Sequence, residues 1–433
     1  MKRIVEDFLI KWKSEQRRKP LIIRGARQVG KTYSITNFGK TNFENIVKID
    51  FEREPSIKEV FQIDLNPQRI CMELEIVKNI KISEGKTLIF FDEIQECPQA
   101  IMALRYFFEE KPNLHIIATG SLLEFSLSEI SIPVGRIQFY DMFPMNFSEF
   151  LLANKKEQLH EIIQKEPHQL SKTVHEILLK ELKFYFFVGG MPEAVKTFYE
   201  TGSVNNSFDV ISEIVNSLRM DFAKYSPQVD KNCLNSALTE IARNVGKQTK
   251  YSSLATGFSN PTLKKAYQTL QTAKLIHQIN AINPTGFPVQ IISSRIFKTN
   301  MLDIGIMNFL CGISRSEEFL KTDLLAIYRG ALAEQFVGQE FAVNQQNNLY
   351  YWERQAKNST AEVDYVIQKN NKWFPIEVKS GSSGSLRSLH LYLTEFEDCT
   401  EGLVLSSQPY SILPEQKLKF IPLYFAGSIS IMN

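Results

Sequence analysis

The strongest chemical signal in the chain is a glycine-rich segment near its amino terminus. Residues 25–32 fit the pattern G-x-x-x-x-G-K-[ST] at every fixed position. Glycines let the backbone N–H groups of such a loop turn inward, and the helix that follows offers its positive end to phosphate. Lys31 would then reach the β- and γ-phosphates of ATP, and Thr32 would give its hydroxyl to Mg²⁺. The segment therefore predicts a binding site for ATP with Mg²⁺.

Two acidic residues after an apolar run supply the second part of this chemistry. Asp92 and Glu93 directly follow the apolar residues 88–91. Asp92 would hold Mg²⁺ through water, and Glu93 would orient or deprotonate the attacking water. Beside the loop, this pair predicts that ATP is hydrolysed as well as bound. The alternative is an acidic strand end with no part in catalysis.

Hydroxyl groups at the end of the next apolar run extend the same site. Thr119 and Ser121 follow residues 115–118, and either could sense the γ-phosphate beside Glu93. A helix N-cap is the equal alternative for both. The residues expected around the nucleotide are Gly25, Ala26, Arg27, Gln28, Val29, Gly30, Lys31, Thr32, Tyr33 and Thr119.

An arginine from a neighbouring subunit often completes phosphoryl-transfer sites of this kind. Arg136 is the first candidate and Arg105 the second, and a plain surface arginine is the alternative for each. An arginine donated in this way would require a homo-oligomer, so the sequence leaves the oligomeric state open.

Short apolar runs alternate with helical patterns over the first third of the chain. Residues 100–110 have helical spacing, and a helix is expected at 33–38, directly after the loop. The runs of strand length are 21–23, 45–50, 87–91 and 115–118. This alternation predicts an α/β domain with a parallel sheet that is covered on both faces.

The middle of the chain turns helical and then changes character. Helical spacing over 146–225 is broken at 189–192 by two glycines and a proline. A helix beginning at Lys250, a second helix at 263–273 after Pro261 and a strand at 275–279 follow the order of a winged helix. Five lysines around this region would suit DNA phosphates, although lysines also serve solubility and a winged helix can bind protein. They are Lys247, Lys250, Lys264, Lys265 and Lys274.

Together these motifs resemble a known family. The segments 24–32, 91–95, 119–123, 134–136 and 189–193 look like those of prokaryotic AAA-type ATPases in which an AAA domain precedes a C-terminal domain of unknown function. The resemblance covers essentially the whole chain. It implies a P-loop AAA-type domain at 1–150, a helical lid region at 151–230, a winged-helix-like domain at 231–310 and a restriction-endonuclease-like α/β domain at 311–433.

Acids and a lysine alternate along two expected strands near the carboxyl terminus. Glu362 and Asp364 share one face of the first strand, and Glu377 and Lys379 share one face of the next. Asp364 and Glu377 can converge on a divalent cation beside a lysine that stabilises phosphate or activates water. This arrangement resembles the PD-(D/E)XK nuclease core, with Asp364, Glu377 and Lys379 in its catalytic positions and Glu334 as the helical acid.

One position departs from that nuclease pattern. Val363 precedes Asp364 where the motif has proline, and such positions vary. The alternative is a row of charges on the solvated face of an edge strand, and a nuclease-like fold does not guarantee cleavage.

Composition places few further limits on the chain. Its 433 residues include 50 basic and 48 acidic side chains, so any nucleic-acid surface must be local. The five cysteines are scattered without a CxxC pair, which favours a reduced, cytoplasmic protein over a disulfide or zinc framework. We find no apolar stretch of membrane-spanning length and expect no membrane partner.

Two functions fit these signals. The first is an ATPase that uses Mg²⁺ and controls a C-terminal nuclease-like domain acting on DNA. The second is a nucleotide-dependent switch that docks a protein or DNA partner, with an inactive nuclease-like fold.

Overall fold

The structure is a computed structural model that describes most of the chain in two compact units. The units are Met1–Phe143 and Pro144–Asn433. The described residues are 1–120, 123, 125, 135–225, 229–285, 289–293, 295–313, 330–345, 349–356, 359–369, 372–379 and 385–429. Among them, no helix combines the length and apolar character needed to cross a lipid bilayer.

A parallel sheet forms the centre of the first unit. Its strands are β1 Leu21–Arg24, β2 Asn45–Asp50, β3 Thr87–Asp92, β4 His115–Thr119 and β5 Gln138–Asp141. They lie in the order β2-β3-β4-β1-β5, and all neighbours are parallel. The four predicted strands and their parallel arrangement are confirmed, and β5 is an additional edge strand. Every residue of β3 and β4 is buried, so both faces of the sheet centre are covered.

Helices connect these strands. They are α1 Ile4–Ser14, α2 Lys31–Asn42, α3 Pro67–Lys78 and α4 Pro98–Glu110, with 3-10 turns at Pro55–Phe61 and Ile94–Glu96. Prolines begin α3 and α4, where the missing N–H needs no partner within the helix. The helix expected at 33–38 is confirmed as α2, and it begins two residues earlier, inside the glycine-rich segment.

The second unit begins with a helical region, as predicted. Its helices are α5 Phe147–Ala153, α6 Glu157–Ile163, α7 Lys172–Val188, α8 Pro192–Thr201 and α9 Val204–Tyr225. A mixed segment follows with α10 Lys231–Arg243, α11 Asn260–Thr272, β6 Ile276–Asn283, β7 Gln290–Ile291, β8 Phe297–Met301 and α12 Ile304–Leu310. The last part contains α13 Ala331–Gln345, β9 Tyr350–Ala356, β10 Ser359–Lys369, β11 Lys372–Val378, α14 Arg387–Glu395, β12 Gly402–Ser406, β13 Ser411–Leu413, β14 Leu418–Pro422 and α15 Ala426–Ile429.

The helix expected to begin at Lys250 is wrong. Only a 3-10 turn forms there, at Tyr251–Ser253, and α10 is the helix that precedes α11. The segment has no room for a helix because Thr249 is held extended by two backbone hydrogen bonds with Phe297, while Ser259 already caps α11.

Strands from the middle and the end of the chain form one mixed sheet. Its path is β13-β14-β12-β11-β10-β9-β6-β7, and β8 pairs with β6 from outside this path. The antiparallel pair β6–β8 joins the rest of the sheet through parallel pairing of β6 with β9. The regions expected at 231–310 and 311–433 therefore share a backbone hydrogen-bond network.

The Gly-Gly-Met-Pro segment is a buried junction of the second unit. The backbone N–H of Gly190 donates to Asp303 Oδ2 at 2.6 Å, and the N–H of Met145 donates to the Gly190 carbonyl at 2.7 Å. A Cβ at residue 190 would lie 2.0 Å from the Met145 carbonyl oxygen. Asp303 also caps α12 through the N–H groups of Gly305 and Ile306. Glycine is required at 190 because the two chain segments are in direct backbone contact.

We predict that Gly190→Ala lowers the free energy of unfolding of the second unit by at least about 2 kcal/mol, because its methyl group would collide with backbone. The measurement is urea unfolding followed by tryptophan fluorescence, since Trp352 and Trp373 belong to this unit. Gly202→Ala is the control. Gly202 has φ +65° with open space around it, so that change should cost about 1 kcal/mol. Equal effects of the two changes would contradict the role of the junction.

Candidate functional site

The glycine-rich loop lies at the carboxyl end of β1 and continues into α2. Gly25 has φ +148°, and a Cβ there would lie 2.2 Å from the carbonyl oxygen of Met142. Arg3 holds the far side of the loop, where its guanidinium donates to the carbonyls of Val29 at 2.9 Å and Phe143 at 2.8 Å. The loop is therefore fixed at both ends by the packing of the first unit.

Lys31 is buried beneath this loop. Its Nζ donates to the carbonyl oxygens of Gly25 and Ala26, each at 2.8 Å. Burial lowers the pKa of Lys31 to about 8, although the charges of Glu93 and Asp92 oppose the fall. Phosphate oxygens are stronger acceptors than neutral carbonyls, so the ammonium is placed to exchange these contacts for a triphosphate.

Asp92 is the point at which the ends of several strands meet. Its Oδ1 accepts from the Thr119 hydroxyl at 2.6 Å and from the Thr32 hydroxyl at 3.1 Å. Its Oδ2 pairs with Lys48 Nζ at 3.0 Å. Side chains from β2, β3, β4 and α2 thus surround one buried carboxylate at the carboxyl edge of the sheet. This set of oxygens, Asp92 and the two threonines, suits the water shell of Mg²⁺.

Glu93 follows Asp92 in a left-handed conformation, with φ +50°. Gln95 Nε2 donates to Glu93 Oε2 at 2.7 Å. The other end of that amide, Gln95 Oε1, is buried without a hydrogen-bond partner and lies where a Cβ of Gly120 would be 2.3 Å away. Gln95 therefore fixes the direction of the Glu93 carboxylate, which is the group expected to act on water.

The remaining nucleotide candidates lie around the same loop with different exposure. Tyr33 is 61% exposed at the start of α2, and Gln28 is exposed with φ +65°. Thr119 is buried, and its hydroxyl serves Asp92. Ser121, the other sensor candidate, lies outside the described residues.

Neither candidate arginine joins this site within the chain. Arg136 and Arg105 each pair through Nε with Glu109 Oε1 at 3.2 Å, and both are about half exposed. Glu109 belongs to the last turn of α4, which runs back from the end of β3 toward the start of β4. The two arginines therefore lie toward the opposite edge of the sheet from Asp92.

The C-terminal candidates come together on neighbouring strands, and we name Glu334, Glu362, Asp364 and Glu377 the acidic cluster. Asp364 on β10 accepts the backbone N–H of Val378 on β11 at 2.8 Å through Oδ2. Lys379 Nζ donates to Glu377 Oε1 at 2.6 Å. Glu377 Oε2 is buried and has no hydrogen-bond partner among the described residues.

A lysine that the sequence reasoning missed lies in the middle of these acids. Lys298 Nζ is 2.5 Å from Glu362 Oε1, 3.3 Å from Asp364 Oδ1 and 3.4 Å from Glu334 Oε2. The residue is 1% exposed. It comes from β8, outside the expected C-terminal domain. The acidic cluster is therefore assembled from both halves of the shared sheet.

The pKa values in the cluster follow from burial and from this charge arrangement. Burial raises the pKa of Glu334 to about 8, and the charge of Asp364 adds to the rise. The same two causes raise the pKa of Glu377 to about 7. Burial alone would lower the pKa of Lys298, but Asp364, Glu334 and Glu362 together hold it well above its ordinary value. The arrangement thus favours the charged form of Lys298 and the protonated forms of Glu334 and Glu377.

A buried carboxylate oxygen without a partner is costly, and a bound cation would satisfy Glu377 Oε2. Asp364 and Glu377 would be its ligands. Across the described ranges, no three Asp, Glu, His or Cys side chains converge to hold a metal ion.

Exposed lysines lie on one side of α11, as a DNA-binding helix would need. Leu263, Tyr267 and Leu270 form its buried face, whereas Lys264 and Lys265 are exposed. The other lysines of this group are Lys247 and Lys250, which are exposed, and Lys274, which is half-buried.

Four residues at these two sites were missed from the sequence: Arg3, Lys48, Gln95 and Lys298. Lys48 carried a signal, because it is a charge between two apolar strand residues, whereas Lys298 stands beside the polar residues Thr299 and Asn300 and carried none. Arg3 and Gln95 carried none, since a terminal arginine and a turn glutamine are ordinary surface residues.

Three protein-family models match the chain. Residues 17–151 match an AAA domain, 179–317 match a domain of unknown function (DUF8612), and 329–425 match another (DUF4143). No curated protein matches. The chain thus carries an AAA-type ATPase domain followed by two domains of unknown function, and the AAA domain implies nucleotide binding.

Solved structures show a loose overall similarity. A Walker-type ATPase of Pyrococcus abyssi shares 16% identity at a TM-score of 0.44, covering 71% of this chain and 95% of that one. Cdc6p of Pyrobaculum aerophilum shares 9% identity at a TM-score of 0.24, covering 73% of this chain and 92% of that one. Orc1 of Aeropyrum pernix, solved in complex with DNA, shares 9% identity at a TM-score of 0.25, covering 71% of this chain and 90% of that one. Scores this low carry no argument about the sites or partners of this chain.

We predict that Gln95→Ala lowers the kcat of ATP hydrolysis about ten- to a hundredfold and leaves the KM for ATP within about twofold, because the Glu93 carboxylate loses its orientation while the phosphate loop is untouched. The measurement is steady-state phosphate release. Gln68→Ala, an exposed glutamine on α3, should match the wild type. A rise in KM at constant kcat would show that Gln95 acts on binding instead.

Proposed function

We propose that this chain hydrolyses ATP with Mg²⁺ at the loop of residues 25–32. The observation that carries the proposal is the set of donors around Asp92: the Thr32 and Thr119 hydroxyls and the Lys48 ammonium lie within 3.1 Å of its two oxygens. Thr32 and Asp92 would hold Mg²⁺, Lys31 would bind the β- and γ-phosphates, and Glu93 would activate water. Arg27, Gln28 and Tyr33 would line the open side of the nucleotide.

We predict that Lys31→Ala abolishes ATP turnover, because the phosphate charges lose their buried partner, whereas Glu93→Gln still binds ATP but hydrolyses it at least about a hundredfold more slowly. Phosphate release and binding of a fluorescent ATP analogue are the two measurements. Lys40→Ala, an exposed lysine later on α2, is the control and should be unchanged. Normal turnover by Glu93→Gln would refute its assignment as the base.

Arg136 remains the candidate for an arginine donated in trans. Its half-exposed guanidinium pairs with a single surface acid, so a second copy of the chain could recruit it at little cost. This assignment needs a homo-oligomer.

For the C-terminal region we propose a nuclease-like centre under the control of ATP. Its support is the position of Asp364 and Glu377 on adjacent strands, the Lys379–Glu377 contact of 2.6 Å and the unpartnered Glu377 Oε2. Asp364 and Glu377 would bind one divalent cation, which polarises a phosphodiester and its attacking water. Lys379 would stabilise the developing phosphate charge. The exposed lysines of α11 would hold the DNA backbone.

The start of the second unit offers a route for that control. The N–H of Phe147, four residues after the first unit ends, donates to Glu340 Oε1 at 2.8 Å. Glu340 lies on α13, the helix that carries Glu334. A displacement at the beginning of the unit would therefore act on a helix of the acidic cluster.

The second candidate is a nucleotide-dependent switch that docks a protein or DNA partner through an inactive nuclease-like fold. Lys298 favours it, because its ammonium already neutralises part of the acidic cluster. The two candidates share the ATPase and differ in whether DNA is cut.

The nuclease proposal predicts nicking or cleavage of DNA by the wild type with Mn²⁺ or Mg²⁺, and a loss of at least about a hundredfold in Glu377→Gln, because the cation loses a ligand. The assay uses linear, supercoiled and single-stranded DNA, with and without ATP. Glu395→Gln, an exposed acid on α14, is the control and should cut normally. Failure of every substrate, or equal cutting by Glu377→Gln, would leave the docking switch.

A further inference from the structure

The acidic cluster contains a cation that belongs to the protein. The Lys298 ammonium lies within 3.4 Å of three carboxylates, from β10 and α13, and its side chain is 2% exposed. Carboxylates gather around an ammonium as they do around a metal ion, so Lys298 supplies at this place a positive charge of the kind that a metal would supply.

The strand segment that follows Lys298 is fixed by buried hydrogen bonds. Gln335 on α13 accepts from the N–H of Met301 and donates to its carbonyl, both at 2.8 Å. Asn300 Nδ2 donates to the Tyr365 hydroxyl at 3.0 Å. Strand β8 therefore cannot withdraw the ammonium without breaking these buried hydrogen bonds.

Some carboxylate oxygens of the acidic cluster contact Lys298, and others do not. Glu334 and Glu362 turn an oxygen each toward the ammonium, and Gln248 Nε2 donates to the second oxygen of Glu362 at 2.7 Å. Asp364 faces Lys298 with Oδ1, whereas the unpartnered Glu377 Oε2 is not used by any described side chain. Because Asp364 Oδ2 also accepts from the backbone N–H of Val378, Glu377 Oε2 is the oxygen of this pair that is left for an external ion, with Asp364 beside it on the neighbouring strand.

We infer that Lys298 takes the place of a second divalent cation, so that this centre binds one ion where two-metal phosphodiesterases bind two. The inference rests on the metal site proposed above, and it adds that Glu362 serves the lysine and not the metal. The Lys298 ammonium is a covalent part of the protein, so it cannot dissociate as a bound ion can. The part of the centre around Lys298 therefore keeps its positive charge when no metal is bound.

The test is titration of nucleotide-free protein with MnCl₂ by isothermal titration calorimetry, in the wild type and in Asp364→Asn, Glu362→Gln and Lys298→Met. Any ion held near Thr32 and Asp92 is common to all four proteins and cancels in the comparison. We expect Asp364→Asn to bind one Mn²⁺ fewer than the wild type, Glu362→Gln to equal the wild type, and Lys298→Met to bind one more.

Two results would overturn the inference: loss of a bound ion in Glu362→Gln, or no additional ion in folded Lys298→Met. Equal binding by Asp364→Asn and the wild type would instead remove the proposed metal site, while a gained ion in Lys298→Met would still support the role of the lysine.

Lys298→Met could fail to fold, because it leaves buried carboxylates without their partner. Circular dichroism in EDTA and in MnCl₂ distinguishes the cases. Folding that is restored by Mn²⁺ supports the inference. If Lys298→Met is unfolded in both conditions, the number of Mn²⁺ ions bound by Glu362→Gln decides the inference. The Glu362 side chain is one-third exposed, so this protein should fold.

Discussion

Both sites of this chain depend on one constraint, which is that a buried carboxylate must be surrounded by donors. Asp92 meets it with two hydroxyls and an ammonium from other elements. In the acidic cluster Lys298 meets it for three acids at once. An ion without such partners would lose its hydration in the interior without compensation. The donors therefore hold the strands in the positions where chemistry is expected.

The parallel sheet explains why the nucleotide site forms at one edge. In parallel strands the carboxyl ends lie side by side, so Asp92 and Thr119, which are far apart in sequence, end on neighbouring strands. The loop after β1 reaches the same edge and brings Thr32 and Lys31 with it. Glu93 then needs only Gln95, two residues later, to hold its direction.

The C-terminal region follows a different principle, because its site spans a sheet built from distant segments. The pairing of β6 with β9 places β8, and with it Lys298, beside acids that lie more than thirty residues later in the chain. The junction at Gly190 and Asp303 connects the same α12 and β8 region to the beginning of the unit. Within the second unit, buried contacts thus connect its beginning with the region that carries Lys298.

Local pattern was enough to predict the elements whose signals lie within a few residues. The four parallel strands follow from short apolar runs, the loop and the start of α2 from the glycine motif, and the shared face of Glu362 and Asp364 from the two-residue period of a strand. The short strands β13 and β14 were not predicted. The three residues of β13 are all exposed and the five residues of β14 have mixed burial, so neither strand shows a clear alternation. The helix expected at Lys250 failed because an extended bridge from Thr249 to Phe297 overrides the local preference.

By itself, the sequence determined which residues can bind a phosphate chain and which acids alternate on a strand, because those properties depend on residue type and spacing alone. Only the tertiary structure decided which group each carboxylate pairs with: Lys48 with Asp92, the Gln95 amide with Glu93, and Lys298 with three acids. The physical reason is that a charge partner is chosen by distance in space and by exclusion of water, and neither quantity can be read along the chain.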